Sequence, residues 1–321
     1  MSVVDGNLTT IGEREPGMRS FYRMGGGLGV VTAMMAAPVS APSASASGQF
    51  AVACDATALA SAVIAANASP AILRLAPRCV YNITSQLPQI TGNVVLVGGP
   101  STTIRHDPAT AANFRLLDVG ASGGLRVIGI FLRNGNPAGN GGGVQNAGRL
   151  VLDHVTLNGN LAGASAVAGG NGGALANLPG ARALVARSVI SSNEAIRALA
   201  ETGTGNGGGI DNAGDLTIFA SRLVANNATS ALSVAGTGNG GGLATQPGGV
   251  SRVIQATINE NTATNAGGGV FNAGTTSLIR SLVLRNRATI AGGVFGSVTL
   301  RRSIVRGNTP DNCVPAAPAC N

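Results

Sequence analysis

Short segments in which apolar and polar side chains alternate recur along the C-terminal two thirds of the chain, and each ends in Asn. Such alternation is typical of β-strands with one buried face. The segments read VTLNGN, SVISSN, SRLVAN, ATINEN, SLVLRN and SIVRGN, and they end at Asn160, Asn193, Asn226, Asn261, Asn286 and Asn308. Glycine-rich blocks such as GNGGGVQN and GNGGGIDN lie between them. Self-similarity at this period predicts a solenoid of stacked coils, and strands of this length predict a parallel β-helix.

Aligning the repeats on the final Asn produces columns of similar residues. A large apolar column contains Phe131, Leu157, Ile190, Leu223, Ile258, Val283 and Val305, with Asn134 as the Asn of the first member. Two positions earlier stands a small column that runs from Gly129 and Val155 to Ser303. Since residues two apart in a strand share a face, we expect both columns to point inward. The Asn side chains should form a hydrogen-bonded ladder between coils, as in stacked in-register sheets.

The start of the predicted domain has a different pattern. Asp55 precedes TALASAVIAANA, in which Leu59, Val63 and Ile64 fall at helical spacing. We expect a short helix with Asp55 as its N-cap, which would cover the open edge of the first coil. The strand-like segments after it lack the glycine-rich block but belong to the same domain.

The first 46 residues are expected to be an export segment. From Met18 the chain reads MRSFYR, an apolar stretch and then SAPSASA, the order of a signal peptide, with Met18 as an alternative start. We place the β-helix domain at 47–321. It divides into capped first coils at 47–135, Gly/Asn-rich repeats at 136–308 and a tail at 309–321. The chain is therefore expected to be secreted, with association at the cell surface as the alternative, and to have no transmembrane span in the mature protein.

Four cysteines are spaced as two local pairs. Cys54 and Cys79 lie near one end of the predicted solenoid, and Cys313 and Cys320 lie near the other. Paired cysteines in an exported chain predict disulfides, and the solenoid geometry favours local pairing.

Composition narrows the set of partners. Only 3% of the residues are aromatic, so the stacking platforms of nucleic-acid-binding proteins are missing. The formal net charge is +8, with Arg as the basic residue throughout, which favours an anionic partner such as an acidic polysaccharide or a cell-wall polymer. We expect no cofactor and no metal, and the sequence leaves the oligomeric state open.

The repeats resemble those of a known group of proteins. GGGV (Gly141–Val144), GGAL (Gly172–Leu175), GGGI (Gly207–Ile210) and GGGL (Gly240–Leu243) are similar to the GGA(I/L/V) repeats of polymorphic outer membrane proteins. The layout of residues 50–321 resembles exported bacterial right-handed parallel β-helix proteins. The resemblance implies an all-β fold of the pectin lyase-like type and a passenger-like, adhesin-like protein at the cell surface.

Catalytic chemistry has weak support in the sequence. The two His residues stand next to Asp, in His106-Asp107 and Asp153-His154, but neighbouring strand residues point to opposite faces, so neither couplet should form a dyad. Hydrolysis of a glycoside needs two carboxylates at a suitable distance. Glu194, Glu201 and Asp211, near the longer connections, are the candidates for such a site.

An arginine cluster is the strongest candidate for binding. Arg280, Arg285, Arg302 and Arg306 lie in the last two predicted coils, and no acidic residue occurs between Asn261 and Thr309. Arg side chains bind carboxylates and phosphates through paired hydrogen bonds. We therefore expect a non-enzymatic protein that binds carbohydrate or a cell-wall polymer there. A polysaccharide lyase or glycoside hydrolase and a structural spacer without a ligand are the alternatives.

Overall fold

In the computed structural model the chain forms a right-handed parallel β-helix with one short helix, which confirms the predicted fold class. The structure describes residues 48–163, 170–197, 204–230, 237–315 and Cys320. The predicted export segment lies outside these residues. In chain order the elements are β1 (Gln49–Val52), α1 (Ala56–Ala68), β2 (Ala71–Leu75), β3 (Val80–Ile83), β4 (Asn93–Val97), β5 (Thr103–His106), β6 (Leu117–Val119), β7 (Gly124–Ile128), β8 (Phe131–Arg133), β9 (Val144–Asn146), β10 (Arg149–Asp153), β11 (Thr156–Asn158), β12 (Leu161–Ala162), β13 (Leu175–Asn177), β14 (Arg182–Ala186), β15 (Val189–Ser191), β16 (Glu194–Arg197), β17 (Ile210–Asn212), β18 (Asp215–Phe219), β19 (Arg222–Val224), β20 (Asn227–Ser230), β21 (Leu243–Thr245), β22 (Val250–Ile254), β23 (Thr257–Asn259), β24 (Thr262–Ala263), β25 (Val270–Asn272), β26 (Thr275–Ile279), β27 (Leu282–Leu284), β28 (Val294–Phe295), β29 (Val298–Arg301), β30 (Ile304–Arg306) and β31 (Cys313–Val314).

The strands stack into four parallel sheets. Sheet I has ten strands in the order β1-β2-β4-β7-β10-β14-β18-β22-β26-β29, and sheet II has nine in the order β3-β5-β8-β11-β15-β19-β23-β27-β30. Sheet III has eight, from β6 to β31, and a short sheet holds β12, β16, β20 and β24. A central coil therefore passes through sheet I, sheet II, the short sheet and sheet III before it returns to sheet I.

The interior is filled by like residues stacked in register. Leu157, Ile190, Leu223, Ile258 and Val283 are fully buried and pair between successive strands of sheet II. Leu152 on β10 belongs to a second buried apolar column, which continues through Val185 and Ile218 on sheet I. Small aliphatic side chains suffice because each coil encloses only a thin layer of core.

The predicted alignment was wrong by one residue in an early coil. Leu157 is paired with Leu132, not with Phe131, and Leu152 is paired with Val127. Asn134 accordingly does not begin the Asn ladder. It has a φ of +61° at the corner, and Gly135 takes the ladder position, where its N–H donates to Asn160 Oδ1 at 3.0 Å. Asn tolerates this left-handed conformation better than most residues, so this corner does not need a glycine.

Residues in the left-handed conformation mark three corners of the coil. The first corner, between sheets I and II, holds Gly129, His154, Arg187, Ala220, Gln255, Arg280 and Arg302. The second corner, after sheet II, holds Asn134, Gly159, Ser192, Ala225, Glu260, Arg285 and Gly307. The third, before sheet III, is mainly glycine, because a Cβ at Gly172 or Gly207 would lie less than 3 Å from backbone atoms. Side chains at the first corner are exposed from His154 onward, so this corner offers a row of free positions along the solenoid.

Buried Asn side chains join the coils behind the second corner. Asn160 Nδ2 donates to Asn193 Oδ1, Asn193 to Asn226, Asn226 to Asn261, Asn261 to Asn286 and Asn286 to Asn308, each at 2.9 Å. A second, shorter row joins Asn146, Asn177 and Asn212 through bonds of 2.7 Å. The Asn of each GNGGG block has a role that its sequence does not indicate. In the structure, Asn140, Asn171, Asn206 and Asn239 accept backbone N–H groups from the next coil.

The two ends are closed differently. At the first coil, Asp55 caps α1 by accepting the N–H of Ala58 at 2.8 Å, and Leu59 and Val63 are buried while Ile64 is 60% exposed. Disulfides join Cys54 to Cys79 and Cys313 to Cys320, which fits an oxidising, extracellular environment. Among the described residues, no helix is long and apolar enough to cross a bilayer.

Candidate binding groove on sheet I

A groove of about 340 Å³ lies on the outer face of sheet I, beside the first corner. Its floor is apolar and consists of outward side chains from β10, β14 and β18, namely Val151, Leu184, Ala186 and Phe219. Val151 and Ala186 are only 4% and 5% exposed although they face away from the core. A volume of this size is within the range of small-molecule sites, which combine an apolar lining with a few polar groups.

Asp153, at the end of β10, organises the polar edge of the groove. Arg187 binds its carboxylate through Nη2 at 2.6 Å from Oδ2 and through Nε at 3.0 Å from Oδ1. Arg126 Nη2 lies 3.8 Å from Oδ2, and its Nε has no hydrogen-bond partner in the described part of the chain. The Asp153 side chain is 10% exposed, whereas that of Arg187 is 47% exposed. The buried carboxylate thus holds two guanidinium groups in place and leaves part of each open to a ligand.

The prediction that Asp153 and His154 point to opposite faces was wrong. His154 Nδ1 lies 2.9 Å from Asp153 Oδ1, and the imidazole is 61% exposed. His154 has a φ of +54°, and this corner conformation breaks the alternation that an extended strand would impose. The corner itself could not be placed from the couplet alone, but the column that His154 shares with Arg187 and Arg280 was already visible in the sequence. His106 forms no such pair, because it is buried and its Nε2 donates to Ala112 O at 2.7 Å.

Two further arginines border the groove on the side away from the corner. Arg149 and Arg182 begin β10 and β14, are neighbours in the sheet register and are both exposed. Neither has an ion-pair partner among the described residues, whereas Arg252 nearby binds Asp215 at 2.7 Å. Arg126 and Arg187 against Asp153 give the lining a formal charge of +1, and Arg149 and Arg182 add two positive charges beside it. Asp215, which neighbours Arg182 in the register, is paired with Arg252. Like charges in adjacent strands repel each other unless a ligand or salt screens them.

Of the carboxylates expected for catalysis, the two that the structure describes, Glu194 and Asp211, lie on different sheets. Glu194, on the short sheet, accepts hydrogen bonds from Asn227 Nδ2 at 3.0 Å and Thr229 Oγ1 at 2.9 Å. Asp211 faces outward from sheet III between Ala176 and Ala244, so no acid stands beside it in the register. Burial raises the pKa of Asp211 to about 7, against the lowering effect of a hydrogen bond from Gln246. Glu201 lies outside the described residues.

The predicted arginine cluster is divided by the fold. Arg280 and Arg302 occupy the first corner, in the same column as Arg187, and are exposed. Arg306 is exposed at the end of β30. Arg285 lies at the second corner, and its Nη2 is 3.0 Å from Glu260 Oε1, so it already has a partner.

These features define the class of the protein as a right-handed parallel β-helix repeat protein with an arginine-lined groove on one sheet. Comparisons with protein-family models, with curated proteins and with solved structures found no match to this chain.

Proposed function

We propose that the protein is a secreted, non-enzymatic β-helix protein that binds an acidic polysaccharide or cell-wall polymer along sheet I. The observation that carries the proposal is the groove in which Arg126 and Arg187 stand beside an apolar floor, with Arg149 and Arg182 two residues before Val151 and Leu184 on the same face. The planar guanidinium fork matches a carboxylate, and the floor offers contact to the apolar faces of sugar rings.

The repeat extends this surface in one direction. Arg187, Arg280 and Arg302 share the first corner. In the register of sheet I, Arg280 lies three coils beyond Arg187, and Arg302 lies one coil beyond Arg280. With coils about 4.8 Å apart, Arg280 lies roughly 14 Å along the solenoid from Arg187. An extended polyanion that occupies the groove can therefore also reach the arginines of the last coils. This regular spacing favours a polymer over a single small acid.

Affinity for immobilised polygalacturonate, measured over a series of salt concentrations, tests the proposal. Neutralising Arg149 and Arg182 together, as Arg149→Gln/Arg182→Gln, should weaken binding about 10- to 100-fold at low salt, since hydrogen bonds to charged groups contribute about 1.5–3 kcal/mol each and surface ones less. Both side chains are exposed, so folding should not change.

The matched control is Arg133→Gln/Arg222→Gln, which removes the same charge from exposed positions on sheet II. This control should retain most of the affinity. Equal losses in both double variants would show that only net charge matters and would contradict a defined site. Equal retention on a neutral polysaccharide would contradict the acidic ligand.

A polysaccharide lyase is the second candidate, and the Asp153–His154 contact favours it. His154 Nδ1 lies close to both Asp153 Oδ1 and Arg187 Nε. In the tautomer that donates Nδ1–H to Asp153, Nε2 can take the proton next to a uronate carboxylate. The bond from the ring to the leaving sugar oxygen then breaks, a carbon–carbon double bond forms, and the leaving oxygen is protonated by water. Arg187 and Arg126 would neutralise the carboxylate. Release of products with ultraviolet absorbance from the conjugated double bond, lost in His154→Ala, would establish the lyase and overturn the non-enzymatic proposal.

A further inference from the structure

The outer face of sheet II carries two neighbouring exposed aliphatic side chains on its last two strands. Leu282 on β27 and Ile304 on β30 are paired in the register, and their side chains are 37% and 46% exposed. Val80, at the other end of the sheet, is the other apolar residue of this column with comparable exposure, at 43%. From β3 to β23 the column holds Val80, Thr103, Phe131, Thr156, Val189, Arg222 and Thr257. Neither aliphatic side chain contributes to the core, because the inward column beside them is Val283 and Val305. Their exposure therefore needs another explanation.

Arginines flank this aliphatic pair on both sides. Arg280 and Arg302 precede it at the first corner, and Arg306 follows Ile304 by two residues on the same face. None of the three has an ion-pair partner among the described residues, in contrast to Arg285 with Glu260. We call Leu282, Ile304, Arg280, Arg302 and Arg306 the C-terminal patch.

We propose that the C-terminal patch docks on the surface of an anionic phospholipid membrane. Guanidinium groups on long side chains can bind lipid phosphates while the aliphatic side chains between them reach the boundary of the acyl chains. The charge is complementary, since the sequence has no acid from Asn261 to Thr309. Each basic residue near such a surface adds attraction that falls off within a Debye length.

The contrast with the groove explains the choice of a lipid over a polysaccharide. The groove on sheet I is recessed, and its apolar residues are the floor beneath the arginines. In the C-terminal patch the aliphatic side chains are exposed on the face of a sheet. Such side chains gain most when they leave water for an apolar phase, which a hydrated sugar chain does not supply. The proposal does not rest on the polysaccharide function.

Co-sedimentation of the full chain with vesicles tests the proposal. Vesicles that contain phosphatidylglycerol should bind the protein, and vesicles of pure phosphatidylcholine should bind it at least tenfold more weakly. Neutralising two arginines, as Arg280→Gln/Arg302→Gln, should reduce partitioning roughly 30-fold at low salt, from about one kcal/mol for each basic residue. Raising the salt concentration should reduce the binding of the unaltered protein.

A second variant separates lipid insertion from simple attraction between charges. Leu282→Thr/Ile304→Thr introduces the residue that stands at Thr156 and Thr257 in the same column, keeps every charge and alters no core residue. It should weaken vesicle binding several-fold, and the thermal unfolding midpoint should stay unchanged. If this variant binds vesicles as the unaltered protein does, the proposed insertion is wrong.

The groove variant Arg149→Gln/Arg182→Gln distinguishes this proposal from the polysaccharide function. Its affinity for vesicles should be about that of the Arg133→Gln/Arg222→Gln control, whereas its affinity for polygalacturonate should be reduced. The lipid proposal is overturned if the unaltered protein fails to bind anionic vesicles while Arg280→Gln/Arg302→Gln weakens binding to polygalacturonate. The patch would then bind the polymer. Full competition of vesicle binding by inorganic phosphate would also overturn it, because a phosphate site would then explain the attraction.

Discussion

The first and second corners use the same backbone device for different purposes. In one central coil, Ala220 and Ala225 both have the left-handed conformation, with φ of +47° and +53°. The residue after Ala220 is Ser221, and the residue after Ala225 is Asn226. Both are buried and both bond to the preceding coil, but Asn226 belongs to a continuous ladder of side chains, whereas Ser221 Oγ accepts one backbone N–H from that coil and donates within its own turn.

The difference shows where the chain can vary. At the second corner, the residue after the turn is Asn in successive coils from Asn160 onward, because its amide satisfies buried backbone groups of the neighbouring coils. Turn residues are exposed and varied at both corners, for example Arg187 and Ala220 at the first and Ala225 and Glu260 at the second. The corners differ in the residue that follows the turn, so the second corner holds the scaffold through its Asn ladder, while the first carries Arg280 and Arg302, which have no ion-pair partner among the described residues.

Asn226→Ala is expected to have the largest effect on stability. Asn226 Oδ1 accepts two hydrogen bonds from Asn193, and its Nδ2 donates to Ile190 O and Asn261 Oδ1. Removing four bonds and leaving buried groups without partners should cost about 4–6 kcal/mol of the free energy of unfolding, measured by chemical denaturation.

Ser221→Ala in the same coil is the matched control for the ladder. Ser221 Oγ accepts from Ser188 N at 3.0 Å and donates to Phe219 O at 2.8 Å, so its loss should cost only about 1–2 kcal/mol. Equal costs for the two variants would contradict the distinction between the corners.

Asp211→Asn tests a buried acid that lies outside both corners. Asp153 has two arginines beside it, whereas Asp211 has a hydrogen bond from neutral Gln246 and a pKa raised by burial to about 7. The folded state therefore holds its proton more tightly than the unfolded state. Stability should fall as the pH rises from about 4 to 7 and should stay low above that range.

The variant should remove this pH dependence. At pH 8, Asp211→Asn should be more stable than the unaltered protein by up to about 4 kcal/mol, and the two should have similar stability near pH 4. Denaturation curves at both pH values provide the measurement. Asp153→Asn, which leaves two arginines facing a neutral amide, should instead be destabilised near neutral pH. Stabilisation of both variants at pH 8 would show that the ion pairs of Asp153 contribute nothing.

The sequence was sufficient for the architecture because the repeats are nearly identical where coils touch. The Asn-terminated segments and the inward columns Leu157 and Val155 could be predicted from their periodicity. The first coils lack that periodicity. Asn134 was misaligned because the sequence alone does not distinguish an Asn at a corner from an Asn in the ladder. The groove could not be predicted, since its floor combines outward residues of three strands, such as Val151 and Leu184, that look like ordinary strand residues. The Asp153–His154 contact depends on a corner conformation that no single couplet reveals.

The smallest expected effect tests whether the two corners are equivalent in their backbone. Ala220→Gly and Ala225→Gly should each relieve the strain of an L-residue with positive φ, which costs about 1–2 kcal/mol, at an entropic cost of roughly 0.5–1 kcal/mol. Both positions are exposed, so no packing is lost, and both variants should gain stability by less than about 1 kcal/mol. If Ala220→Gly is neutral while Ala225→Gly stabilises, the first corner tolerates side chains without strain. That result would strengthen the view that the first corner is free to carry the residues of a binding surface, whereas equal gains would mean that Arg187 and His154 are held there at a cost to the fold.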